Sequence, residues 1–376
     1  MAIRLHIPPL LLVVLNTLLL LLLLPRYTFG EPDATATRHR PFNNTVSALF
    51  VFGDSTADPG NNNFVSTIFK SDFLPYGQDF IDHRPTGRFT NGRLATDFII
   101  SYAGIKDYVP PYLDPNLSID DLMTGVSFAS AGSGFDPLTP SLSNVVSLPR
   151  QLEYFKEYRR RLELSIGRQR AEHIIRKAAF VVSAGTNDFV VNYFTLPIRR
   201  SSFTASAYQQ FLMQQIKQFI KGLWNQGARR IAMVGLPPMG CLPIMITLNS
   251  DHAATQRDCM DQFSSVAREY NSLLEAELRS IQVDLAAHGA KIYYADIYGP
   301  LFDMIRRSDV YGFDETSNGC CGTGLLEASF LCNPKTFVCD DVSKYVFWDS
   351  IHPTERTYYL LFKALLPVVD RVISDE

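Results

Sequence analysis

Five short apolar runs, interleaved with helical stripes, restrict this chain to one kind of fold. The runs are Ala48–Phe52, Gly125–Ala129, Ala178–Val182, Ile231–Val234 and Ile292–Ala295. Each ends in a glycine or a polar turn, and their length and residue types read as buried strands. The helical stripes repeat at three- and four-residue steps. Arg93–Tyr102 carries Leu94, Phe98 and Ile99 on one face, and Tyr208–Leu223 carries Phe211, Ile216, Phe219 and Ile220. Met260–Leu285 carries Phe263, Val266, Tyr270, Leu274 and Leu278, and Thr354–Val372 carries Tyr358, Leu361, Leu365 and Val368. Strands alternating with helices pair in parallel through right-handed crossovers. The expected fold is therefore α/β, a three-layer α/β/α sandwich around a five-stranded, mainly parallel sheet.

In such folds ligands bind at the carboxyl ends of the strands. Two strings are placed to meet there. Ser55 directly follows the first run, in Phe52-Gly53-Asp54-Ser55. Near the other end stands Asp349-Ser350-Ile351-His352, whose acid and imidazole are three residues apart. One turn brings residues at that spacing to the same side. Together they supply a nucleophilic oxygen, a base and a group to orient the base, which a serine needs at neutral pH. Of the seven histidines, His352 alone has a carboxylate three residues upstream in an apolar setting. The competing readings are structural: Ser55 as a turn or helix-capping residue, Asp349 as the cap of the turn that follows it.

Four blocks then carry a resemblance. They are Val51-Phe52-Gly53-Asp54-Ser55-Thr56-Ala57-Asp58-Pro59-Gly60-Asn61-Asn62-Asn63, Ser127-Phe128-Ala129-Ser130-Ala131-Gly132-Ser133-Gly134, Ser183-Ala184-Gly185-Thr186-Asn187-Asp188 and Trp348-Asp349-Ser350-Ile351-His352-Pro353-Thr354. In this order, with the filler Pro85-Thr86-Gly87-Arg88-Phe89-Thr90-Asn91-Gly92-Arg93, they resemble the plant GDSL-type esterase/lipases of the SGNH hydrolase superfamily. The resemblance implies a flavodoxin-like α/β/α sandwich with Ser55 as nucleophile, His352 as base and Asp349 as its orienter. It implies an oxyanion hole made of the Ser55 N–H, Gly132 and Asn187, with Gly134 a rival to Gly132. Thr56 departs from the family leucine, and Ser127 stands where asparagine is frequent. The chain has no G-x-S-x-G, so the nucleophile elbow of the α/β-hydrolases is not supported.

The rest of the chain sets the context. Residues 1–30 begin with Arg4 and His6, run through an apolar Leu10–Leu24 and end in Thr28-Phe29-Gly30. This pattern reads as a cleaved secretory signal. The apolar run is shorter than the roughly 20 residues of a spanning helix, so no stable membrane span is expected. Residues 31–376 are read as one hydrolase domain, without internal repeat or linker. A net charge of -3 offers no basic excess to neutralise phosphates, which argues against a nucleic-acid partner. Export makes the sequons at Asn43 and Asn116 usable glycosylation sites. The six cysteines are Cys241, Cys259, Cys320, Cys321, Cys332 and Cys339. An even count in an exported chain suggests disulfides; proximity pairs Cys241 with Cys259 and leaves the late four to pair among themselves. With no C-x-x-C pair a zinc site is disfavoured, and no metal or cofactor is expected. Arg159–Arg161, flanked by glutamates, reads as a solvated helix face. Aromatics in 61–80 and 137–148 are candidates for an acyl pocket.

The leading expectation is a secreted esterase or lipase that hydrolyses acyl esters through an acyl-enzyme on Ser55. An acyltransferase using the same residues is the close alternative. A non-catalytic lipid- or wall-binding protein on the same scaffold is the alternative from another class.

Overall fold

The computed structural model describes residues 46–253 and 255–374. The signal read over residues 1–30 and the sequon at Asn43 lie outside the described residues. Four strands form the central sheet: β1 (Leu49–Gly53), β2 (Ala179–Ser183), β3 (Arg230–Val234) and β4 (Lys291–Ala295). They lie side by side in that order, all parallel. The expected runs are thus strands to within a residue at each end, with one exception.

The exception is Gly125–Ala129. It lies beside β1, where a fifth strand would be, and exchanges backbone hydrogen bonds with it: Val51 N–H to the Val126 carbonyl (3.1 Å) and Phe128 N–H to the Val51 carbonyl (2.7 Å). Its pairing is nevertheless limited to isolated bridges, to Val51 on one side and to Pro111 on the other, where Ser127 bonds to the Pro110 and Tyr112 backbone. The regular sheet therefore has four strands rather than five. A second, two-stranded parallel sheet, β5 (Glu315–Gly319) with β6 (Tyr345–Phe347), lies outside it. Its polar sequence Glu-Thr-Ser-Asn-Gly gave no apolar signal.

The two faces of the main sheet are built from different residues. Side chains alternate along a strand, so Phe50, Phe52, Phe180, Ile231 and Met233 fall on one face. Phe50 and Phe52 pack on Phe155 at 5.3 and 5.7 Å between ring centroids, and Phe52 on Phe219 at 5.7 Å. The helices behind that face are Leu148–Ile166 and Ala205–Asn225, with Asp261–Leu285 beside them. The other face carries Leu49, Ala179, Val181, Ala232 and Val234, and faces the helices Ala95–Tyr102 and Glu355–Ile373. Helices on both faces complete the three layers.

All four helical stripes of the sequence are helices. The run Arg159–Arg161 lies in Leu148–Ile166 as read, although Arg159 reaches inward to Glu163 (2.8 Å) and Glu172 (3.4 Å). Three disulfides form: Cys241–Cys259, Cys320–Cys339 and Cys321–Cys332.

Candidate active site

The chain leaves β1 through Gly53, whose φ of 138° and tight surroundings exclude a side chain. A Cβ there would stand 1.8 Å from the Ser183 carbonyl oxygen on the neighbouring strand. Gln151 grips the same residue from the helix behind: its Oε1 accepts from Gly53 N–H (2.9 Å) and its Nε2 donates to the Gly53 carbonyl (2.8 Å). The next turn is closed by Asp54, whose Oδ1 accepts from the Thr56 N–H (3.0 Å) and hydroxyl (2.8 Å). This is an Asx-turn, and it holds Ser55 at the carboxyl edge of the sheet. Asp54, not Ser55, thus caps the turn. Thr56, the departure from leucine, uses its hydroxyl to tie this turn to the Ser183 hydroxyl of β2 at 2.8 Å.

The second string folds by the same device. Asp349 Oδ1 accepts from the N–H groups of Ile351 (2.8 Å) and His352 (2.7 Å), closing the turn after β6. Its Oδ2 meets His352 Nδ1 at 2.7 Å, and His352 Nε2 stands 2.8 Å from Ser55 Oγ. The carboxylate therefore caps the turn and contacts the imidazole at once. Asp349 is fully buried, while His352 and Ser55 keep 4% and 7% of their surface. Thr354 then caps the closing helix by accepting from Thr357 N–H (3.3 Å).

The other expected site residues are placed as follows. Asn187 lines the same cavity as Ser55, and its Nδ2 donates to the Ser133 carbonyl at 2.9 Å. Gly132, at φ 87°, lies in the loop that hangs from the Gly53 carbonyl through Ser130 N–H (3.0 Å) and Ser133 Oγ (2.7 Å). Its rival Gly134 packs directly on Asp188: a Cβ there would meet that carboxylate at 2.2 Å. Ser127, the second departure, bonds from its hydroxyl to the Ala57 carbonyl (2.8 Å) beneath this loop. Asn116 is exposed in a turn closed by Asp114. The cavity beside Ser55 encloses about 960 Å3 counting its mouth, and no residue of 61–80 or 137–148 lines it. Those aromatics serve elsewhere; the walls come from the sheet and from the helices Ala95–Tyr102 and Glu355–Ile373.

Several supporting residues escaped the sequence reading. Tyr76 is fully buried and donates to Asp349 Oδ2 at 2.7 Å, while accepting from Ser329 N–H at 2.8 Å. Phe89 stacks near the imidazole at 5.1 Å between ring centroids. Neither Tyr76 nor Gln151 stands in a recognisable pattern. Asp58 and Asp188 stand within the quoted blocks and had a signal. Asp58 accepts from the N–H groups of Gly60, Asn61 and Ala131. Asp188 accepts from Phe135 N–H (2.8 Å), Asp136 N–H (3.1 Å) and the Thr139 hydroxyl. Asp58 ties the first block to the glycine block, and Asp188 ties its own block to the segment that follows the glycine block.

These buried carboxyls make stability depend on pH. Burial pushes Asp54 and Asp58 up to about 6 and Asp188 up to about 7, against the hydrogen bonds that oppose it. The folded chain thus holds protons that the unfolded chain, with an ordinary value of 3.8, releases. Stability is fully present below about pH 4 on this account and falls as pH rises to about 7. We expect a higher melting temperature at pH 5 than at pH 8, by calorimetry, and a smaller difference in Asp188→Asn. A melting temperature that is flat or rising over that interval contradicts the assignment.

A serine, an imidazole and a carboxylate in one hydrogen-bonded chain, at the edge of a parallel α/β sheet, make the arrangement of acyl-transferring hydrolases. Comparison with known proteins is specific. Residues 49–365 match the model of the GDSL-like lipase/acylhydrolase family. GDSL esterase/lipase At5g45960 of Arabidopsis thaliana is 60% identical over 330 residues, 88% of each chain. GDSL esterase/lipase At1g06990 of the same plant is 43% identical over 327 residues, 87% of this chain and 90% of its own. GDSL esterase/lipase At2g42990, also from that plant, is 45% identical over 315 residues, 83% of this chain and 88% of its own. The chain belongs to the GDSL esterase/lipase family, and it is a carboxylic ester hydrolase.

Proposed function

We propose that this chain is a secreted esterase or lipase working through an acyl-enzyme on Ser55. The observation that carries the reading is the unbroken chain from Ser55 Oγ through His352 to Asp349 Oδ2, opening on an apolar cavity. Ser55 Oγ attacks the acyl carbonyl as its proton passes to His352 Nε2. The developing oxyanion accepts from the Ser55 N–H, the Gly132 N–H and the second Nδ2–H of Asn187, where one such donor contributes roughly 3–4 kcal/mol. The ester C–O bond breaks, and the alcohol leaves with the proton from His352. Water then attacks the acyl-enzyme with His352 again as base, releasing the acid and restoring Ser55. The names of the relatives, esterase/lipase, favour water over an alcohol as acceptor.

Residues 31–376 act in this reading as one hydrolase domain, delivered outside the cell after removal of residues 1–30. Three disulfides and the exposed sequon at Asn116 suit that location. No helix among the described residues is long and apolar enough to cross a membrane. The test is labelling with a fluorophosphonate, followed by peptide mapping. The adduct is expected on Ser55; a labelled protein with the adduct elsewhere, or none at all, rejects the reading.

Tyr76 is the positioning residue for the acid. Its hydroxyl fixes Asp349 Oδ2 where that oxygen meets His352 Nδ1, so its loss frees the carboxylate to turn away from the imidazole. Tyr76→Phe is expected to lower kcat/KM about tenfold, as for a hydrogen bond to a charged group. The loss should fall on kcat with KM unchanged, in protein that melts close to the wild type, which a merely structural role would not give.

A further inference from the structure

The cavity at Ser55 does not stop beside the serine. A second, smaller void continues it along the sheet, and Ile99, Val181, Val234 and Leu365 line both. The cause lies in the sequence of the strands. On the opposite face Phe50, Phe52 and Phe180 fill the space to the helices behind. On this face the corresponding positions are Leu49, Ala179, Val181, Ala232 and Ala295, and the closing helix spans the gap above them. Protein interiors are ordinarily packed to crystal density. Small residues laid side by side under one helix leave a slot.

The chemistry of the slot is graded. Its polar lining, which includes Asp54, Ser55, Thr56, Ser183 and Asn187, belongs to the cavity at the serine. The continuation is lined only by Leu, Ile, Val and Ala. A hydroxyl, a sugar or a phenol pushed into that end would lose its water and find no partner, which is costly. A hydrocarbon loses nothing there and leaves water behind. Between Ser183 and Ala179, β2 advances about 13 Å at ~3.3 Å per residue, the length of an extended chain of roughly ten carbons.

We propose that the slot between the small-residue face of the sheet and the closing helix Glu355–Ile373 is an acyl-chain tunnel. The esters hydrolysed then carry a linear, unsubstituted acyl chain of medium to long length. The inference rests on Ser55 as the nucleophile, because the tunnel begins at that residue.

The experiment is a series of p-nitrophenyl esters from acetate to palmitate, run on the wild type and two variants. In the wild type, kcat/KM is expected to rise about three- to fourfold per methylene up to roughly ten carbons. Ala232→Leu places bulk midway along the tunnel, level with Val181. It should cut kcat/KM at least tenfold on the dodecanoate and leave the butyrate unchanged. Val372→Ala, further along the closing helix, should move the optimum toward longer chains. No turnover of any ester would overturn Ser55 as nucleophile, and the tunnel with it. Turnover of short esters with no gain from chain length would overturn the tunnel alone, as would an Ala232→Leu loss equal on butyrate and dodecanoate. If Ala232→Leu does not fold, Val372→Ala decides: an unmoved optimum overturns the tunnel.

Discussion

Ser55→Ala is expected to abolish ester hydrolysis while leaving the melting temperature nearly unchanged. The side chain is buried, but its hydroxyl serves one hydrogen bond, to His352 Nε2 at 2.8 Å. Alanine keeps the Cβ and the backbone, so the Asx-turn of Asp54 and the grip of Gln151 on Gly53 remain. No void larger than one oxygen is made, and the imidazole left behind can bond to water. The chemistry has no substitute. Removing a triad serine costs on the order of 10⁶ in kcat, and what remains comes from the oxyanion donors and from binding. Turnover on a p-nitrophenyl ester and a thermal melt of the same preparation check both halves. More than a few percent of wild-type kcat in pure, folded variant protein would show that another group attacks the ester.

How far the sequence reaches depends on how local each feature is. The four strands and the long helices were legible because burial repeats at a fixed period along the chain. Ser55, Asp349 and His352 were legible because each sits in a short string at a predicted element end. The turn of Asp349 is itself local, an Asx-turn over four residues. The fifth strand was harder. Gly125–Ala129 has strand character, but Val126 and Phe128 bond to β1 while Ser127 bonds to Pro110 and Tyr112, and only tertiary structure shows how far that pairing extends. Sheet β5–β6 was invisible because β5 is polar throughout and β6 spans only three residues. Tyr76 was invisible for a related reason: it reaches Asp349 across 273 residues of sequence. The pocket was sought among aromatics, whereas the cavity beside Ser55 continues among alanines and valines. Its signal is the contrast between two faces of one sheet, which appears only when the strands are aligned side by side.

The second large effect is expected from breaking the disulfides. Reduction should abolish activity under conditions that leave a disulfide-free control enzyme intact. Closing loops of this size contributes roughly 3 kcal/mol each in the chain-entropy model. Three bridges then supply about 9 kcal/mol, comparable to the whole stability of an ordinary domain. The late pair matters beyond its share of stability. Cys320 and Cys321 donate their N–H groups to the carbonyls of Phe347 (3.0 Å) and Trp348 (2.8 Å), the two residues before Asp349. Gly319, one residue earlier, lies so close to the Asp349 backbone that a Cβ there would stand 2.6 Å from its carbonyl carbon. The bridges Cys320–Cys339 and Cys321–Cys332 thus fix the strand against which the Asp349–His352 turn is laid. A base displaced by about 1 Å costs about 10²-fold in rate. The double variant Cys321→Ser/Cys332→Ser is therefore expected to lose more kcat, at a temperature where it remains folded, than Cys241→Ser/Cys259→Ser. Equal loss in the two would reduce the bridges to general stability. Six alkylatable thiols in protein from its native source would remove them from the account, and the turn would have to be held by its own hydrogen bonds alone.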